Sequence, residues 1–128
     1  MKRLLLVSLA ILFLFAVMVN AAEMRFAVAS SDKTAEASVS NEAAKCPYYL
    51  IFDSKGELTE VIDNPYKNAS GGAGPSAANF LAQRGVTIVI AGSFGSKMIN
   101  ALESKGVVHF ESKGSVGDAV KKALEGGQ

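Results

Sequence analysis

The sequence has no tryptophan, one cysteine and one histidine, and its 128 residues carry nearly balanced charge, 13 Lys and Arg against 12 Asp and Glu. Each shortage excludes something. A single cysteine cannot form an internal disulfide framework, so the fold has to rest on its core. Cys46 and His109 alone are too few for a closed zinc site within one chain. No Gly-x-Ser-x-Gly elbow occurs, so the serine-hydrolase signature is missing. The formal net charge of +1 depends on Lys2 and Arg3. Without those two residues the chain lies just on the acidic side of neutral, which gives no electrostatic footing for nucleic acid.

What is present begins with a targeting segment over residues 1–22. Met1-Lys2-Arg3 is a short positive start, and Leu4 to Val19 is an apolar run broken only by Ser8. Val19 and Ala21 then fit the small-residue positions of a signal-peptidase site, with a cut after Ala21 or Ala22. The run is longer than many signal-peptide cores and shorter than a comfortable bilayer span of about 20 residues. It reads as a cleaved signal peptide, or as a membrane anchor if uncleaved. The expected location is exported, periplasmic or otherwise extracytoplasmic, with membrane contact only through this segment.

The remaining length, residues 24–125, suits one domain with one core. Arg25–Ala29 reads as a strand and Ser30–Ala44 as a long loop, expected to be the least ordered part of the domain. Tyr48–Asp53 and Glu57–Ile62 read as strands joined at Ser54-Lys55-Gly56, a β-hairpin. Pro75 suits the first position of a helix carrying Ala77, Ala78, Phe80 and Leu81 on one stripe, with Gly85 ending it. Val86–Ala91 is continuously apolar, the mark of a strand covered on both faces. A helix over Ser96–Lys105, closed by Gly106, and a strand over Val107–Phe110 complete a strand–helix–strand unit. Ser115 and Asp118 fit a capping box. Val116, Ala119, Val120, Ala123 and Leu124 then recur with helical spacing. The expected fold is α/β, a five-stranded mixed sheet with helices on both faces.

Two glycine-bearing loops precede helices. In Gly71-Gly72-Ala73-Gly74-Pro75-Ser76 the backbone is free to approach a ligand, and a helix N-terminus offers unpaired N–H groups and partial positive charge. The plainer alternative is a flexible turn into a helix. It is no dinucleotide fingerprint, because no strand runs directly into it and Ala77 stands where the third glycine belongs. Gly92-Ser93-Phe94-Gly95 follows the buried strand, where α/β sheets place ligands, and is the expected opposite wall of the same cleft. Cys46 reads as a buried small hydrophobe, a free thiol or a ligand. His109 reads as structural or solvated. Asp53 and Glu57 read as solvated turn residues, and Lys121-Lys122 as partners of the last helix's dipole.

The order of these motifs is more specific than any one of them. Tyr48–Asp53, Gly56-Glu57-Leu58, Ile62–Tyr66, Gly71–Pro75, Leu81–Val86, Val89–Gly92 with Gly95, and Gly114–Val120 together resemble the dinitrogenase iron–molybdenum cofactor family. The resemblance spans about Met24 to Leu124. It implies a three-layer ribonuclease-H-like fold and membership among carriers of iron–sulfur precursors, or accessory domains, of nitrogenase cofactor synthesis. Two departures stand out. Glu42 occupies the place of the family's histidine and Lys45 that of its arginine, and a leader precedes the domain.

The expectation is therefore a non-enzymatic binding or carrier domain for an iron–sulfur or iron–molybdenum-type cluster, or a similar anionic ligand. Its partner would be a cluster donor or acceptor protein. The expected ligand-binding residues are Gly71, Gly72, Gly74, Ser76, Gly92, Ser93 and Gly95, with Glu42 and Cys46 as candidate metal ligands. The rivals are an extracytoplasmic interaction domain without a ligand, and a metal-dependent hydrolase, for which only Asp32 lies just beyond the first strand.

Overall fold

Five short apolar segments pair into one mixed sheet in the computed structural model, which describes residues 24–126. The expected leader lies outside them. Strand β1 (Phe26–Ser30) is buried throughout and occupies the centre. It pairs antiparallel with β2 (Tyr48–Phe52) and parallel with β4 (Ile88–Ala91). The edges are β3 (Leu58–Asp63), antiparallel to β2, and β5 (Val108–Glu111), parallel to β4, giving the order β3-β2-β1-β4-β5. The hairpin forms where expected, with Gly56 at φ 82° supplying the positive φ its turn requires.

Helices cover both faces. Helices α1 (Ala73–Gln83) and α2 (Ser96–Ser104) lie on one face, and α3 (Val116–Gly126) on the other. The period-two alternation of β1 supplies both cores. Ala27 and Ala29 share one core with Ala77, Leu81, Met98 and Leu102, while Phe26 and Val28 share the other with Ile90, Val116 and Val120. Small β1 side chains thus lie under two helices and large ones under the single helix.

Two expectations need correcting. Helix α1 starts at Ala73, two residues ahead of Pro75. Pro75 is tolerated in the first turn because N–H groups there have no intrahelical partner to lose. The segment after β1 is not loosely held. Ser40 N–H donates to Ala29 O (2.8 Å), Val39 N–H to Gly114 O (2.8 Å), and Gly92 N–H to Ser40 O (2.8 Å). Val39 and Ala43 are buried. The segment supplies backbone partners at the C-terminal ends of β1 and β4, an order no side-chain pattern announces.

Candidate functional site

At the C-terminal ends of the parallel strands, two helices begin without caps. Gly72, at φ 69°, is the N-cap of α1, and Gly95, at φ −74°, is that of α2. Neither N-terminus receives a side-chain cap, and neither first turn holds an acidic residue. Helix α3 differs: Ser115 Oγ accepts from Asp118 N–H at 3.3 Å, and Asp118 adds negative charge to its first turn. The orphan N–H groups and partial positive charge that α3 satisfies internally are left bare on α1 and α2.

The two bare ends meet. A Cβ added at Gly74 would lie 3.1 Å from Met98 N and 3.2 Å from Met98 Cβ. Between them opens a cleft of about 430 Å³, walled by Gly71–Pro75, Gly95–Met98 and Ala44-Lys45. A smaller depression of about 220 Å³, formed by residues 41–45 with Ser93 and Gly95, shares Ala44, Lys45 and Gly95 with it. Lys45 and Lys97 are exposed on the rim, and among the described residues no carboxylate lines the larger cleft. Small residues, bare N–H groups and two ammonium groups are a combination chemically suited to an anion. A groove of about 510 Å³ between the hairpin turn and α3 is larger, but it mixes Glu36 and Asp118 with Lys55 and Lys121 beside a helix already capped. It lacks that complementarity.

The back of the Ala44-Lys45 wall is a buried polar cluster. Asn64, 1% exposed, donates from Nδ2 to Ala44 O (2.8 Å) and Cys46 O (2.9 Å). Its Oδ1 accepts from Tyr66 N–H at 3.0 Å. Tyr49 OH donates to Ala43 O at 2.5 Å. Burial pushes the Cys46 thiol up to about 12 and the Tyr49 phenol above its ordinary range, because neither anion would be hydrated there.

The expected site residues separate on this structure. Gly71, Gly72, Gly74 and Gly95 line the larger cleft. Ser93 and the exposed Glu42 line the smaller depression. Gly92 is buried, and a Cβ there would lie 3.0 Å from Asn41 Cα, so its smallness serves packing. Ser76 lines neither, and its N–H donates to Gly72 O within the helix. Cys46 lies wholly inside the protein, protonated, and reaches neither depression. Among the described residues no group of three or more His, Cys, Asp or Glu side chains is arranged to hold a metal ion. Asp32 is exposed and accepts from Lys33 N–H. His109 packs edge-on against Phe94, centroids 5.2 Å apart.

Sequence reasoning assigned no role to Lys97 or Asn64. Lys97 is the second residue after a bare N-terminal glycine, and Asn64-Pro65 is the start of an Asx turn. Either signal marks a residue worth attention, though not its direction.

A family model described as dinitrogenase iron-molybdenum cofactor matches residues 24–126. Among solved structures, the apo form of the orange protein from Desulfovibrio gigas superposes with a TM-score of 0.76 at 27% identity, covering 82% of this chain and 91% of that one. A Thermotoga protein provisionally assigned as a NifB protein superposes at 0.68 with 30% identity, covering 80% and 89%. An uncharacterized protein of Methanocaldococcus jannaschii is 28% identical over 86 residues, 64% of this chain and 73% of its own length.

Proposed function

The chain belongs to the dinitrogenase iron–molybdenum cofactor family, and from that premise we propose that it is a non-enzymatic carrier that holds an anionic, sulfide-rich metal cluster in the cleft between the N-termini of α1 and α2. The observation that carries this reading is the convergence of two uncapped helix N-termini, free of first-turn acids, on one cleft rimmed by Lys45 and Lys97. Peptide N–H groups at such ends are oriented before any ligand arrives, so an anion there forms charge-assisted hydrogen bonds with little reorganisation. The small lining residues let a bulky ligand approach the backbone. The likeness to the orange protein and to the Thermotoga protein supports a cofactor-handling role, and a cluster donor or acceptor protein is the matching partner. The family residues Gly71, Gly72, Gly74 and Gly95 form the cradle, with Ser93 and Glu42 at its smaller extension.

The Leu4–Val19 run supports export or tethering. On this reading the domain handles its cargo outside the cytoplasm or at the membrane.

Anaerobic reconstitution with iron, molybdate and sulfide, followed by metal counting after gel filtration, tests the carrier reading. The mature chain is expected to retain both metals, and a Lys45→Ala/Lys97→Ala variant to retain far less at equal fold content. Wild type that retains no more metal than this variant would leave an interaction domain without a ligand as the better reading.

A further inference from the structure

The buried cluster behind the cleft wall has a direction that the carrier reading leaves unused. Asn64 sits in the turn after β3, eighteen and twenty residues along the chain from the two carbonyls it holds. One amide group, Nδ2, spends both of its hydrogens on the backbone flanking Lys45: Ala44 O before it and Cys46 O after it. The same side chain is fixed from its other end by Tyr66 N–H, and its own N–H donates to Pro47 O at 3.1 Å. Tyr49 OH adds a third anchor at Ala43 O. The segment 43–46 is thus gripped from behind at three of its four carbonyls, all but that of Lys45, while Ala44 and Lys45 form the shared wall of both depressions. The grip excludes Lys45 itself, whose side chain is left exposed on the rim.

We infer that Asn64 is a positioning residue for the ligand cleft: it clamps the wall that presents Lys45 and, through that wall, sets the affinity for the anion. The inference rests on the anion-binding reading above. It differs from a purely structural role because the wall is short, lies in no strand or helix, and is tied by few bonds besides those named. Removing the amide leaves the buried Cys46 carbonyl and the partly buried Ala44 carbonyl without that partner, which is costly for the buried one, and the wall is then expected to open toward water to satisfy them. The remaining sheet has no share in those bonds. Opening would also expose Cys46, whose Sγ lies 3.8 Å from Asn64 Nδ2. The thiol therefore reports on the clamp without any ligand.

The test uses Asn64→Ala, Lys45→Ala, the double variant and wild type, with tetrathiomolybdate as the anionic probe in anaerobic calorimetric titrations. Lys45→Ala is expected to weaken binding about tenfold or more, the scale of one charge-assisted hydrogen bond. Asn64→Ala is expected to weaken it comparably, with little further loss in the double variant, because both changes remove the same contact. Losses that multiply in the double variant would overturn the inference. So would an Asn64→Ala protein that binds as tightly as wild type.

Alkylation of Cys46 by iodoacetamide supplies the second arm. Wild type is expected to resist labelling, and Asn64→Ala to label at least tenfold faster at a rate insensitive to low urea, as for a local opening that exposes little surface. If Asn64→Ala labels no faster than wild type, or only at a rate that climbs with urea as global unfolding does, the clamp is refuted and Asn64 is merely structural. Wild type that fails to bind tetrathiomolybdate counts against the anion reading, and the labelling arm still decides the clamp.

Discussion

Three closely spaced glycines in one loop should respond to the same substitution in different ways. Gly71 has no neighbour within 4 Å of a built Cβ and no positive φ. Alanine there restricts the unfolded chain without straining the folded one, so Gly71→Ala should be neutral or stabilise by about 0.4–1 kcal/mol. Gly72 has equal space but φ 69°, and alanine in the left-handed region costs about 1–2 kcal/mol. Gly74 has an ordinary φ, but its Cβ would stand 3.1 Å from Met98 N and 3.4 Å from Met98 Cα. Those are backbone atoms at the start of α2, and they can give way only if the helix moves. Gly74→Ala should therefore destabilise by about 1–3 kcal/mol, as overpacked sites do. Urea titrations followed by far-ultraviolet circular dichroism measure all three at constant slope. A Gly74→Ala midpoint equal to wild type, or a Gly71→Ala midpoint lowered as far as that of Gly74→Ala, would refute the close approach of the two helix ends. The series also selects the right tool for binding studies. Gly71→Ala places a methyl group at the cleft without disturbing the fold, whereas substitution at Gly74 confounds the two.

Other outcomes follow from the same structure. Ile90 is fully buried between β1 and α3, so Ile90→Ala should cost about 2–5 kcal/mol in denaturant titration, and an unchanged midpoint would place it outside the core. The folded Cys46 thiol titrates near 12 against an ordinary 9.0. Its contribution is fully present below about pH 9 and is lost as pH rises toward 12, because the unfolded chain releases that proton first. Stability should fall across that window, and Cys46→Ala should flatten the fall; parallel pH profiles for both proteins would contradict it. For the leader, N-terminal sequencing of material from the native host should give a start at Ala22 or Glu23, and a full-length cytoplasmic chain would contradict export.

The legible parts of the fold were those written in side-chain pattern. The apolar run ending at Ala91, the hairpin around Gly56 and the helix-ending glycines Gly85 and Gly106, both at positive φ, each leave a local mark. The start of α1 was displaced by two residues because Pro75 is acceptable anywhere in a first turn. The segment from Ser31 to Cys46 was illegible as ordered structure, since what fixes it is main-chain hydrogen bonding to Ala29, Gly92 and Gly114. The cleft was half legible. Glycines before two helices were visible, but sequence cannot separate a glycine with open space at the cleft (Gly71) from one pressed on a backbone (Gly74, Gly92). Nor could it show that Cys46 turns inward while its neighbour Lys45 turns out. The carbonyls on either side of Lys45 are held by Asn64, an amide reaching back from a distant turn.

The central claim concerns where the ligand sits, and amide chemical-shift mapping of the isotopically labelled mature chain tests it most directly. Titration with tetrathiomolybdate under anaerobic conditions should shift the N–H resonances of Gly71–Gly74 and Gly95–Lys97 together with Lys45, at a common apparent affinity that falls as salt rises. Shifts confined to the groove between Lys55 and Lys121, or no saturable shift at either helix N-terminus, would contradict the account.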